Sequence, residues 1–86
     1  MPEICRFFGI VVRMYYDDHS PPHVHAEYQG NRATLDFRGN LLRGSLGSRT
    51  ALRLAREWID LHGPALQEDW ELARAGRELN RIAPLH

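Results

Sequence analysis

The stretch HVHAEYQGNRATLDFRGNLLRGSL, residues 23–46, decides the fold. It contains three runs that alternate polar and apolar residues with a period of two, the pattern of half-buried strands: HVHAEY (23–28), RATLDF (32–37) and, more loosely, LLRGSL (41–46). Two Gly-Asn pairs, Gly30-Asn31 and Gly39-Asn40, stand between them and suit tight two-residue hairpin turns. Setting each pair at a hairpin tip fixes a register. Gln29 then faces Arg32, Tyr28 faces Ala33, Ala26 faces Leu35 and Val24 faces Phe37. Across the second turn Phe37 faces Leu42, Leu35 faces Gly44 and Ala33 faces Leu46. Apolar residues meet apolar residues in both hairpins, whereas a one-residue slip sets them against Arg, Thr and Asp.

Upstream, ICRFFGIVVRMYY (4–16) is rich in β-branched and aromatic residues, with Gly9 read as a bulge or bend. Downstream the period changes. Ser48 is an N-cap for a helix running to about His62, Gly63 stops it, and Pro64 opens a second helix over roughly 64–75 that Gly76 ends. On the first helix Ala51, Leu52, Leu54, Ala55, Trp58, Ile59 and Leu61 share one half, with Arg49, Arg53, Arg56, Glu57 and Asp60 on the other. His62 falls within the apolar arc and reads as a core histidine bonded to a carbonyl. The second helix has Leu66, Trp70 and Ala73 as its stripe, Glu68 and Asp69 near its start and Arg74 near its end, which suits the helix dipole. The expected fold is α+β over a single domain, residues 1–86. It is an antiparallel sheet of about four strands from the N-terminal half, one face packed by two C-terminal helices. The tail RELNRIAPLH has a weak pattern that allows a short C-terminal strand.

Composition limits the partners. A chain of 86 residues buries about 60–65% of its unfolded surface, so Trp58 and Trp70 are expected in the core. Eleven basic residues, all arginine, balance eleven acids, so net charge gives no drive toward nucleic acid or membrane. The single Cys5 has no motif to activate it and reads as an inert buried thiol in a reducing, cytoplasmic setting. No signal peptide or membrane span is read, since Arg13 cuts the apolar run Ile10-Val11-Val12.

The register also decides what occupies the opposite face. His23, His25 and Glu27 share it, and the assumed turns set His25 across from Asp36 and Asp36 across from Arg43. Opposed side chains have Cβ atoms about 5 Å apart, so a row His25–Asp36–Arg43 across three strands is expected. A carboxylate beside an imidazole orients the ring and raises its pKa. The preceding DDHSPP is stiffened by Pro21-Pro22, which holds Asp18 and His19 close to this face. The candidate site is therefore His19, His23, His25, Glu27, Asp36 and Arg43. Three uses fit it. His19, His23, His25 and Asp18 are a ligand set for a divalent metal such as zinc, with an open position for a hydrolytic water. The face equally suits contact with an anion or RNA, or an ordinary solvated strand.

The opening MPEICRFFGIVVRMYYDDHSPPHVHAEYQG resembles a family of small prokaryotic proteins, domain-of-unknown-function family 4160. Its signature D-H-x-P-P-H-x-H-A stands here as Asp18, His19, Pro21, Pro22, His23, His25 and Ala26. The segment WIDLHGPALQEDWELARAGRELNRIAPL also resembles that family's closing part. The resemblance implies no reaction. It implies a toxin–antitoxin-like pairing with a second small protein encoded nearby. A metal-dependent hydrolase or nuclease and a nucleic-acid-binding accessory protein are the alternatives, with no membrane role.

Overall fold

The computed structural model describes residues 2–16 and 19–86. Five strands and two helices follow in order: β1 (Glu3–Phe7), β2 (Ile10–Arg13), β3 (His23–Tyr28), β4 (Asn31–Asp36), β5 (Leu41–Gly44), α1 (Arg49–Leu61) and α2 (Gly63–Arg74). The strands form one antiparallel meander in the order β1-β2-β3-β4-β5. The class is α+β as expected, with five strands rather than four.

The extra strand comes from residues 4–16, which do not form one bent strand. They fold back at Phe8-Gly9, where both residues have positive φ (49° and 80°). An aromatic residue in the left-handed region gives no turn signal, so the hairpin was hidden behind a continuous run of strand formers. Phe8 itself remains exposed at the tip.

The β3–β4 turn also differs from expectation. A type I′ turn needs positive φ at both central residues, and that pair is Gln29 (48°) and Gly30 (81°) rather than Gly30-Asn31. Asn31 instead begins β4 and pairs with Tyr28. Every β3–β4 partner therefore moves by two positions: Ala26 faces Ala33, Val24 faces Leu35, His25 faces Thr34 and His23 faces Asp36. A shift of two keeps each side chain on its expected face while changing its opposite number. The β4–β5 connection is longer than a Gly-Asn tip, because Asp36 N–H donates to Asn40 O at 3.0 Å and encloses Phe37, Arg38 and Gly39. Consequently Arg43 faces Thr34, Ala33 faces Gly44, and an irregularity sets Leu35 against Leu41.

One face of the sheet is buried beneath the helices. Val12, Val24, Ala26, Ala33 and Leu35 meet Ala51, Ala55, Trp58, Ile59, Leu66, Trp70 and Ala73 in one core. Trp58 is fully buried, stacks on Phe7 at 5.7 Å and donates its indole N–H to Ala83 O at 2.8 Å. Ser48 caps α1 as read, its Oγ accepting from Ala51 N–H at 3.1 Å. His62 packs its ring on Trp58 at 5.4 Å, and its backbone N–H, not its imidazole, reaches the carbonyls of Trp58 and Ile59. Leu61 lies outside the core and is exposed.

The tail forms no strand, yet it is docked. Ile82 N–H donates to Ile4 O at 2.8 Å, and Asn80 N–H donates to Asp69 Oδ1 at 2.9 Å. Asp69 was expected to serve the dipole at the start of α2. It is instead fully buried, with Oδ2 making no hydrogen bond among the described residues. Burial pushes its carboxyl pKa up, partly offset by the Asn80 N–H bond. No helix among the described residues is long and apolar enough to cross a membrane.

Candidate functional site

The face opposite the core is built by the alternate residues of the same strands. Side chains directly opposed across a ladder share a face, so the register defines two rows. One runs Arg13–His25–Thr34–Arg43 across β2 to β5. The other runs Arg6–Val11–Glu27–Arg32 across β1 to β4. The expected row His25–Asp36–Arg43 is absent: Thr34 occupies the central place, because the changed hairpin tips move the partners of His25 and Arg43 on β4 by two positions.

Asp36 is on the expected face but serves its own loop. Its Oδ1 accepts from Arg38 N–H and Asn40 N–H, both at 2.9 Å, and its Oδ2 accepts from the Asn40 amide at 3.0 Å. Partial burial alone raises its pKa, yet the bonds from Asn40 and Arg38 outweigh this together and hold the carboxyl below its usual value. Asp36 therefore closes the β4–β5 loop and does not orient His25.

The histidines are brought together. The rings of His23 and His25 lie edge to face at 5.0 Å, and Tyr15 meets His25 at 4.4 Å. His23 is the buried member: its ring lies 5.3 Å from Trp70 of α2, and its Nδ1–H donates to Pro21 O at 2.7 Å. That bond fixes the tautomer, since a carbonyl only accepts. The Ser20–Pro21 peptide bond is cis, whereas Pro22 follows a trans bond. The Pro-Pro segment thus positions His23 through a backbone carbonyl, and His23 links the open face to the helix layer.

His25 is half-buried and His19 is exposed, and both line a cavity of about 360 Å³ with Ser20, Pro21, His23, Thr34, Leu42 and Arg43. A second cavity of about 370 Å³ adjoins it through His25, Thr34 and Arg43, and is also lined by Tyr15, Glu27 and Arg32. Glu27 is paired with Arg13, Nε to Oε1 at 3.2 Å. Of the six expected site residues, His19, His23, His25 and Arg43 share one cavity, Glu27 lies in the next, and Asp36 lines a separate hollow with Phe37 and Gln67.

Four residues of this face escaped the sequence reading: Arg13, Tyr15, Arg32 and Thr34. Arg32 and Thr34 carried a usable signal, since they share the parity of Asp36 on β4. Arg13 and Tyr15 carried none once residues 4–16 were read as one strand. Among the described residues no group of three or more His, Cys, Asp or Glu side chains is placed to hold a metal ion. Asp18, one member of the expected ligand set, lies outside the described residues. Cys5 is buried, and burial pushes its thiol pKa up, as suits an inert thiol.

A hollow of about 660 Å³ lies along the polar side of α1 between Arg38, Arg49, Thr50, Arg53, Arg56, Glu57 and Asp60. Its charges are of both signs and partly engaged within the chain: Arg53 pairs with Glu57 at 3.0 Å and Arg56 donates to Gly39 O at 2.8 Å. It is the solvated helix face expected from its mixed charges.

No match is found among curated proteins or among solved structures. A family model does match. The domain of unknown function DUF4160 aligns with residues 9–71, from the first hairpin to the last turns of α2, and this span contains the Pro-Pro segment and every described side chain of the histidine face except Arg6. The chain belongs to the DUF4160 family.

Proposed function

We propose that this chain is the binding component of a two-protein, toxin–antitoxin-like module, and that it engages its partner through the open face of the sheet. The observation that carries the reading is the composition of that face. Beside the His23–His25 ring pair stand Arg43, Tyr15 and the exposed Leu42, on the side of the sheet that the helices leave uncovered. Arginine and aromatic residues around an apolar centre are what protein interfaces concentrate, because they combine large contact area with directed hydrogen bonds. His23 supports this role from below. Anchored to Pro21 O and Trp70, it fixes the ring of His25 without being presented to a partner.

The test is a binding titration between this chain and the small protein encoded beside it. A 1:1 complex with micromolar or tighter affinity is expected, weakened at least tenfold by His25→Ala combined with Arg43→Glu. A chain that stays monomeric at micromolar concentrations of that protein removes the reading. So does a complex that tolerates both substitutions.

A further inference from the structure

We infer that the 370 Å³ cavity on the open face is a phosphate-binding pocket, and that it takes the phosphate group of a small phosphomonoester. This deepens the reading of the open face as a binding surface and rests on it, though not on the partner's identity. The cavity is walled by Arg32 and Thr34 of β4, Arg43 of β5, Tyr15 and His25, and by Glu27. The register brings the two guanidinium groups to one side of the sheet: Arg43 is directly opposite Thr34, and Arg32 precedes Thr34 by two residues.

The charge arrangement points to an anion. Among the described residues neither Arg32 nor Arg43 forms an ion pair, although four of the chain's other arginines do. The one carboxylate lining the cavity, Glu27, is already paired with Arg13. Two guanidinium forks with no ion pair among the described residues therefore share a concave site with the hydroxyl-bearing Thr34 and Tyr15; Glu27 stands across the ladder from Arg32 but is bonded to Arg13. A phosphate monoester offers three terminal oxygens and up to two charges, which matches two forks and additional O–H donors better than a carboxylate does. The cavity also exceeds the volume of a bare phosphate and falls in the range of small-molecule sites, so there is room for the group that carries the ester. A nucleic-acid backbone fits less well. Polymer binding draws its affinity from neutralising many phosphates, and the two arginines of this cavity, on a chain of zero net charge, neutralise few.

The experiment is an amide and guanidinium NMR titration of the chain alone, at constant ionic strength, with inorganic phosphate, then a nucleoside monophosphate, then single-stranded RNA. Saturable shifts confined to Tyr15, Arg32, Thr34 and Arg43 are expected, with the monophosphate at least tenfold tighter than inorganic phosphate. Arg32→Gln and Arg43→Gln should each weaken binding at least tenfold, and Arg53→Gln on α1 should not. Both sites are exposed, so a dispersed spectrum confirms that the variants fold. Shifts that never saturate or that chloride reproduces overturn the proposal, as does unchanged affinity in both variants. RNA that binds more tightly than the monophosphate, with steep salt dependence, overturns the monoester assignment. Partner binding is measured separately, so loss of that reading and loss of this one leave different records.

Discussion

Strand β3 places two kinds of surface one residue apart. Val24 and Ala26 point into the helices and are each 1% exposed, while His25 and Glu27 open onto cavities on the other side. The first pair is constrained by volume, because a packed interior has no spare space. The second is constrained by charge and hydrogen-bonding direction, because water fills whatever a side chain leaves. Substitutions on the two faces should therefore separate stability from binding.

The largest effect belongs to the covered face. Trp58→Ala removes a fully buried indole that stacks on Phe7 and holds the tail through Ala83 O. A loss of about 3–5 kcal/mol is expected from denaturant unfolding, a large share of the roughly 5–15 kcal/mol typical of such domains. A loss below about 1 kcal/mol would mean that the helix layer is not what stabilises the sheet. Next comes a residue of the edge strand β5, the neighbour of Arg43 in the chain. Gly44 has φ +76°, and a Cβ there would run into the carbonyl oxygen of Arg32. Because that neighbour is backbone, it has no side chain to swing aside, and β5 must shift against β4. Gly44→Ala should cost about 2 kcal/mol or more and should also displace Arg43, so stability and binding fall together. This variant is the exception to the separation, and its mechanism is backbone register rather than either face.

These two sites also mark how far the sequence could be read. Trp58 was assigned to the core from helical periodicity, since a 3.6-residue stripe is explicit in the order of residues. The faces of β3 and β4 were equally legible, because parity survives any even error in register. The opposite numbers across the ladder were not. They depend on which two residues take positive φ, and Gln29, like Phe8, does so without a compositional signal. Thr34 therefore replaced Asp36 beside His25, and β1 and β2 were merged. Asp69 was misread for another reason: an acidic residue near a helix start has a surface role by default, and only the docked tail buries it. The anchoring of His23 by Pro21 O and Trp70 is a tertiary contact that no local pattern encodes.

Asp69 makes stability fall as pH rises through its titration. Its folded-state pKa is raised, so folding favours the protonated form. The stability this contributes is fully present below the unfolded value, about 3.9, and is lost as pH rises through the higher folded value. Asp36 works in the other direction. Its folded pKa is depressed, so its contribution is present above about 3.9 and disappears as pH falls through the lower folded value. Asp69→Asn keeps the acceptor for Asn80 N–H and removes the buried charge. It should raise stability at pH 7 by about 1 kcal/mol and reduce the stability gained by wild type between pH 7 and pH 5. Equal pH profiles for variant and wild type would place the ionised carboxylate in a better-solvated setting than its burial implies.

The smallest expected change in stability is the most informative about function. His25→Ala and Arg43→Gln alter the open face without touching the helix layer. Arg43 is exposed and has no ion pair among the described residues, so its loss should change unfolding free energy by no more than about 0.5 kcal/mol. His25 loses ring contacts with Tyr15 and His23, which at a half-buried site are worth about 0.5–1 kcal/mol. Neither loss approaches that of Trp58→Ala, yet either one should weaken binding at this face at least tenfold. A variant here that unfolds the protein would make the histidine pair a structural clamp joining sheet to helix through His23 and Trp70. A variant that leaves both stability and binding unchanged would make it a solvated strand face. Only the combination of retained fold and lost binding is what two faces under separate physical constraints require.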